Sequence, residues 1–174
     1  MKLPTAILWL TLVAMAVPGL AQESATPPSL LVLNLELVDS SGEVVDQREE
    51  HDCRLAAVRE ILATELDARD VYAVVDPRPI QADIDATRER QYLHACNGCE
   101  IRFARRLGAD RVLTGHVRKV SSLVMALWID IRDADSGRPI VRKVLDFRGD
   151  NDKAWQRAGL YLVGQLERLP PEAR

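Results

Sequence analysis

Residues 107–133, LGADRVLTGHVRKVSSLVMALWIDIRD, decide the fold. Gly108 ends the helical run EIRFARRL in the left-handed stop position that glycine adopts without steric cost. RVLTGHVRKV and LVMALWIDIRDA then alternate as two strands, and SGRP, residues 136–139, turns the chain into a third, IVRKVLDFRG. Period-2 geometry puts Leu123, Met125, Leu127, Ile129 and Ile131 on one side of the second strand, with Val124, Ala126, Trp128 and Asp130 on the other. On the neighbouring strand Thr114, His116 and Arg118 oppose Leu113, Gly115 and Val117. If helices cover only one face, Trp128 with His116 forms an amphipathic patch suited to a partner or a small ligand.

Upstream, LLVLNLELVD reads as one strand whose apolar face carries Leu31, Leu33, Leu35 and Leu37. Asp46, with Glu49 three residues on, offers a capping-box start to a helix whose stripe is Leu55, Val58, Leu62 and Leu66. VYAVVD, residues 71–76, is a short buried strand stopped by Pro77 and Pro79, and IQADIDATRERQYL reads as a polar helix with an apolar edge at Ile80, Ile84 and Tyr92. Downstream, Asn151 or Asp152 caps a last helix with Trp155, Leu162, Leu166 and Leu169 on one face. The expected class is α+β, a mixed β-sheet with packed helices in the order β-α-β-α-α-β-β-β-α.

The first residues set the compartment. Lys2, the apolar run Ala6–Val17 and the small residues before Gln22 describe a secretory signal peptide over residues 1–21, cut after Ala21, with no cysteine there to carry a lipid. Residues 22–29 read as a disordered lead-in, 30–169 as a single α+β domain and 170–174 as a flexible tail. About 150 residues suffice for one hydrophobic core. Loss of Lys2 takes the formal charge from -3 to -4, and the basic residues are interspersed with acids, which argues against nucleic acid as a partner. No second apolar segment is long enough to span a bilayer, so a soluble periplasmic protein is expected.

The run LGADRVLTGHVRKV, a strand, then DADSGRPI resembles the helix-strand-hairpin signature of envelope domains such as the TolB N-terminal domain and the CsgG and LpoB proteins, with Ser136 where threonine is usual. Together with LLVLNLEL and HACNGCE, the chain is similar to a secreted bacterial family classed as a domain of unknown function. That resemblance implies a fold and a periplasmic setting, suggests binding to another envelope protein, and brings no activity with it.

YLHACNGCE, residues 92–100, holds Cys96 and Cys99 around Asn97-Gly98. A covalent haem needs histidine after the second cysteine, and position 100 is glutamate. A thioredoxin-like centre needs a buried strand leading in, whereas TRERQYLHA is polar. Zinc or copper(I) could draw on His51, Cys53, His94, Cys96 and Cys99, but residues two apart on a helix point to opposite sides, so His51 and Cys53 do not grip one ion easily. A disulfide is favoured: the periplasm oxidises, and Asn-Gly tolerates the positive φ angles of a tight turn. Cys53 is then left over near the far side of its helix; cover by the Cys96 loop, pairing between chains and a different helix register all stay open.

No G-x-S-x-G, H-E-x-x-H or phosphate-binding glycine loop appears. Asp130, Asp133 and Asp135 read as turn and solvent-facing residues. The reading is therefore a non-enzymatic periplasmic accessory protein without cofactor or metal, Cys96–Cys99 as its disulfide and Trp128 and His116 facing a partner. The alternative is a thiol-redox or metal-handling accessory of a periplasmic oxidoreductase acting through Cys96 and Cys99.

Overall fold

The computed structural model describes residues 26–174. The leader over residues 1–21, and residues 22–25 of the expected lead-in, lie outside the described residues. Six strands form one sheet: β1 (Ser29–Val32), β2 (Glu36–Asp39), β3 (Ala73–Val75), β4 (Arg111–Ser121), β5 (Val124–Asp133) and β6 (Pro139–Phe147). The helices are α1 (Arg48–Ala68), α2 (Gln81–Arg88), α3 (Cys99–Leu107) and α4 (Asp152–Glu167). Spatial order is β3-β1-β4-β5-β6, with β2 also paired to β4. The β1, β2 and β3 pairings are parallel and the β4-β5-β6 meander is antiparallel, giving the mixed α+β sheet expected. The first strand starts at Ser29, and residues Pro171–Ala173 make a turn of 3-10 helix.

One expected strand is two. Val32 lies beside Leu113 but Glu36 lies beside His116, so four residues of the first run oppose three of β4. The extra residue flips every following side chain to the other face, because side-chain direction has a period of two. Leu31 and Leu33 therefore enter one core cluster while Leu35 enters the other, in place of a single leucine face. Glu36 moves with them, out of the larger core and onto the face that carries His116.

Gly115 makes this switch sterically feasible. A Cβ there would stand 2.5 Å from the Trp128 carbonyl oxygen and 3.0 Å from Leu35 Cδ2. Gly115→Ala is expected to lower stability by about 1–3 kcal/mol through overpacking, read as a reduced urea midpoint at unchanged slope.

On one face of the sheet α1 and α4 pack side by side. Leu55, Val58, Leu62 and Leu66 of α1 meet Trp155 and Leu162 of α4 over Met125, Leu127 and Ile131. Each such side chain contributes on the order of 2 kcal/mol by leaving water, and this anchors a helix whose cap residue makes no side-chain bond. The capping box expected at Asp46 is not formed: the helix starts at Arg48, and the Asp46 carboxylate accepts the Arg48 backbone N–H at 3.1 Å and binds its guanidinium. An aspartate that closes on the residue two ahead holds a turn there and delays the helix. At α4 the expected cap is present, with Asn151 Oδ1 accepting the Ala154 N–H at 3.0 Å.

On the second face α2 and α3 cover only the β3-β1 side and the start of β4, closing a smaller core of Leu31, Leu33, Ile84, Leu93, Phe103 and Val112. The helix expected to reach Tyr92 stops at Arg88, and the chain resumes as a single 3-10 turn at Leu93–Ala95. The reason lies across the sheet, in Glu36.

Candidate partner-binding site

The register of the sheet aligns Glu36, His116, Trp128 and Val144 in one row across β2, β4, β5 and β6. All four point to the second face. Glu36 is buried; its carboxylate accepts the backbone N–H of Leu93 at 2.6 Å, that of His94 at 3.0 Å and the His94 ring at 2.5 Å. A carboxylate only accepts, so His94 carries its hydrogen on Nδ1. These three bonds hold the 3-10 turn over the sheet and draw Leu93 into the smaller core.

Fixed in this way, the His94 ring stands 4.2 Å from that of His116, which in turn stacks on Trp128 at 5.9 Å with a 10° interplanar angle. Tyr92 extends the ladder outward, 5.3 Å from His94. Burial first, then the nearby His94, push the His116 imidazole down to about 4, against the pull of Glu36. It is therefore neutral at ordinary pH and presents an uncharged ring edge.

Beside the ladder runs a groove of about 280 Å3, bounded by His94, Thr114, His116, Trp128, Asp130 and Val144. Its rim sets apolar residues beside charged ones. Trp128 and Val144 are 42% and 46% exposed, whereas Asp130 faces Arg142 at 3.4 Å and keeps its Oδ1 buried without a partner. Asp130, which the sequence pattern assigns to solvent, lies on the groove wall. Asp133 and Asp135 do fall at the hairpin turn, Asp133 Oδ1 accepting the Ser136 N–H at 2.7 Å and its hydroxyl at 2.6 Å.

Cys96 and Cys99 adjoin this site through the 3-10 turn. Their sulfurs are joined, with Cα atoms 5.6 Å apart, across Asn97 and Gly98 at φ of 50° and 106°. Glu100 is buried beneath them: its Oε2 accepts the Gly98 N–H at 2.9 Å and its Oε1 the Arg132 guanidinium at 2.8 Å. Among the described residues, Cys96, Cys99 and Glu100 cluster closely enough to hold an ion, but the sulfurs are bonded to each other and the carboxylate is committed. His51 and Cys53 diverge as helical spacing requires: His51 is buried against Asp150, and Cys53 is exposed and free.

A second polar cluster sits below α1. Asp150, 4% exposed, accepts from His51 Nε2, Arg54 and Lys119 Nζ, each at 2.8 Å, and from the Trp155 indole at 3.1 Å. Lys119, 1% exposed, also reaches Glu43 at 2.8 Å and Gln47 at 3.1 Å. Glu36, Lys119 and Asp150 are not among the residues the sequence singles out, and His94, a candidate metal ligand there, instead donates to Glu36. The signal for Lys119 was there, since period two places it on the Leu113–Val117 side.

A family model matches residues 28–166, nearly the whole described chain. The chain belongs to the DUF3280 family. That family is described as a protein of unknown function (DUF2380), in line with the domain of unknown function to which the sequence motifs pointed. No curated protein matches the chain. Among solved structures, this DUF3280 chain is similar to the lipoprotein GNA1162 from Neisseria meningitidis, at 15% identity and a TM-score of 0.50 over 82% of this chain and 96% of that one. It is also similar to the PelC dodecamer from Paraburkholderia phytofirmans, at 15% identity and 0.49 over 82% and 86%, and to the LpoB C-terminal domain from Salmonella enterica, at 17% and 0.45 over 72% and 86%. At such identities the likeness concerns the fold alone.

Within the DUF3280 fold the open groove combines a stacked aromatic wall, a valine and an oriented carboxylate–guanidinium pair. It can bind by burial of aromatic surface and by directional hydrogen bonds. Among the described residues no helix is long and apolar enough to cross a membrane.

Proposed function

We propose that this chain is a non-enzymatic accessory domain of the bacterial cell envelope, exported to the periplasm, that binds another envelope protein through the open half of its sheet. One observation carries this reading: Trp128 and Val144 stand exposed in the row that continues from His116, on a face whose other half is sealed by α2 and α3. An aromatic anchor beside a charged rim is the composition of interface centres. The leader-like first residues and the fold shared with a lipoprotein support the compartment.

The thiol-based alternative has less support. Cys99 is fully buried, and its sulfur is bonded to that of Cys96.

Trp128→Ser tests the proposal. Because the side chain is partly exposed, stability should change by no more than about 1 kcal/mol. Affinity capture from periplasmic extract with the tagged parent chain should retain a discrete envelope protein that the folded variant loses. A variant that unfolds, or one that retains the same protein, would show Trp128 to be packing and not interface.

A further inference from the structure

The outer edge of β6 has no neighbour among the described residues, and it is the long edge of the sheet, nine residues against three in β3 at the opposite side. Unpaired strand edges are templates for another strand. The residues along this one are self-complementary. If a second copy pairs antiparallel to β6 about a two-fold axis at Val144, the valine faces its own counterpart, and Arg142 faces the copy's Asp146 twice, once on each side of the axis. All three residues are exposed and on the second face. A two-fold axis normal to the sheet keeps each face continuous, so registers differ by steps of two residues. One step either way places Arg142 against Val144 or against Arg148, and both ion pairs are lost.

We infer that β6 is a homodimerisation edge, two copies joining their sheets through Arg142–Asp146 pairs around a Val144–Val144 centre. The isologous pairing satisfies the free backbone groups of both edges at once, as closed two-fold interfaces do. It also places the two exposed Trp128 rings one strand in from the axis, flanking the Val144 pair from its two sides. The interface is small, so association should depend on concentration in the micromolar range.

Sedimentation of the purified chain, dilute and concentrated, should show a rise to twice the single-chain mass. D146R sets four like charges around the axis and should weaken association roughly tenfold or more, with an unchanged circular-dichroism spectrum. In a Cys53→Ser background, V144C should cross-link to a covalent dimer on mild oxidation, because directly opposite strand residues lie within disulfide reach. A chain that stays monomeric at high concentration would overturn the inference and leave the edge to a foreign strand. A dimer indifferent to D146R that V144C fails to cross-link would place the contact elsewhere and overturn it equally.

Discussion

Asp150→Ala should destabilise the fold by about 3–5 kcal/mol, the largest effect expected of any single substitution outside the apolar core. The carboxylate is the common acceptor for Lys119, His51, Arg54 and the Trp155 indole. Its removal leaves an almost fully buried ammonium with only the partly exposed Glu43 and with Gln47 to hold it, and strands the indole N–H. Lys119→Met should cost far less, on the order of 1–2 kcal/mol, because Asp150 keeps three donors and the long apolar side chain fills the same space. Chemical denaturation of the two variants side by side distinguishes a cluster centred on the carboxylate from one centred on the lysine.

The same cluster predicts acid behaviour. Burial alone would raise the Asp150 carboxyl, but the bonds from Lys119 and His51 outweigh it and hold the group at about 2, below the usual 3.8. A depressed folded-state value means that the stabilisation is complete above the unfolded value and disappears as pH falls through about 2. Stability measured between these limits should fall more steeply for the parent chain than for Asp150→Ala. Equal slopes would show that the carboxylate is not the group being protonated.

Glu36→Ala should have the second largest effect, about 2–4 kcal/mol, since it removes three bonds to one ionised acceptor and orphans the buried Leu93 N–H. Glu36→Gln keeps an acceptor and should cost about half as much. Hydrogen exchange locates the damage: the Leu93 and His94 amides should lose protection first, while those of β4 and β5 keep theirs. Release of His94 from its place on His116 also opens the end of the groove, so Glu36→Ala should weaken partner capture even where most of the chain stays folded. Uniform loss of protection would mean that Glu36 supports the core as a whole.

The elements that were legible in the sequence are those specified by local chemistry. Gly108 stops α3, Asn151 caps α4, and the alternation of β5 assigns Met125 and Trp128 to opposite faces without reference to any other part of the chain. The misreadings share a cause. Residues 30–39 read as one strand because alternation is a local pattern, whereas the extra residue between Val32 and Glu36 is visible only against β4. The helix expected to reach Tyr92 ends early because a carboxylate 57 residues upstream takes the Leu93 N–H.

By itself, then, the sequence determined the α+β class, the order of the elements after the divided first strand, the tight turn around Asn97-Gly98 and the two-faced character of β5, all of which follow from backbone preference and side-chain period within a dozen residues. Only the tertiary structure decided which half of the second face stays open, that Glu36 holds His94 against His116, and that Lys119 and Asp150 meet out of water. Those outcomes depend on register between strands distant in the chain, and a one-residue offset is enough to exchange a core position for a site position.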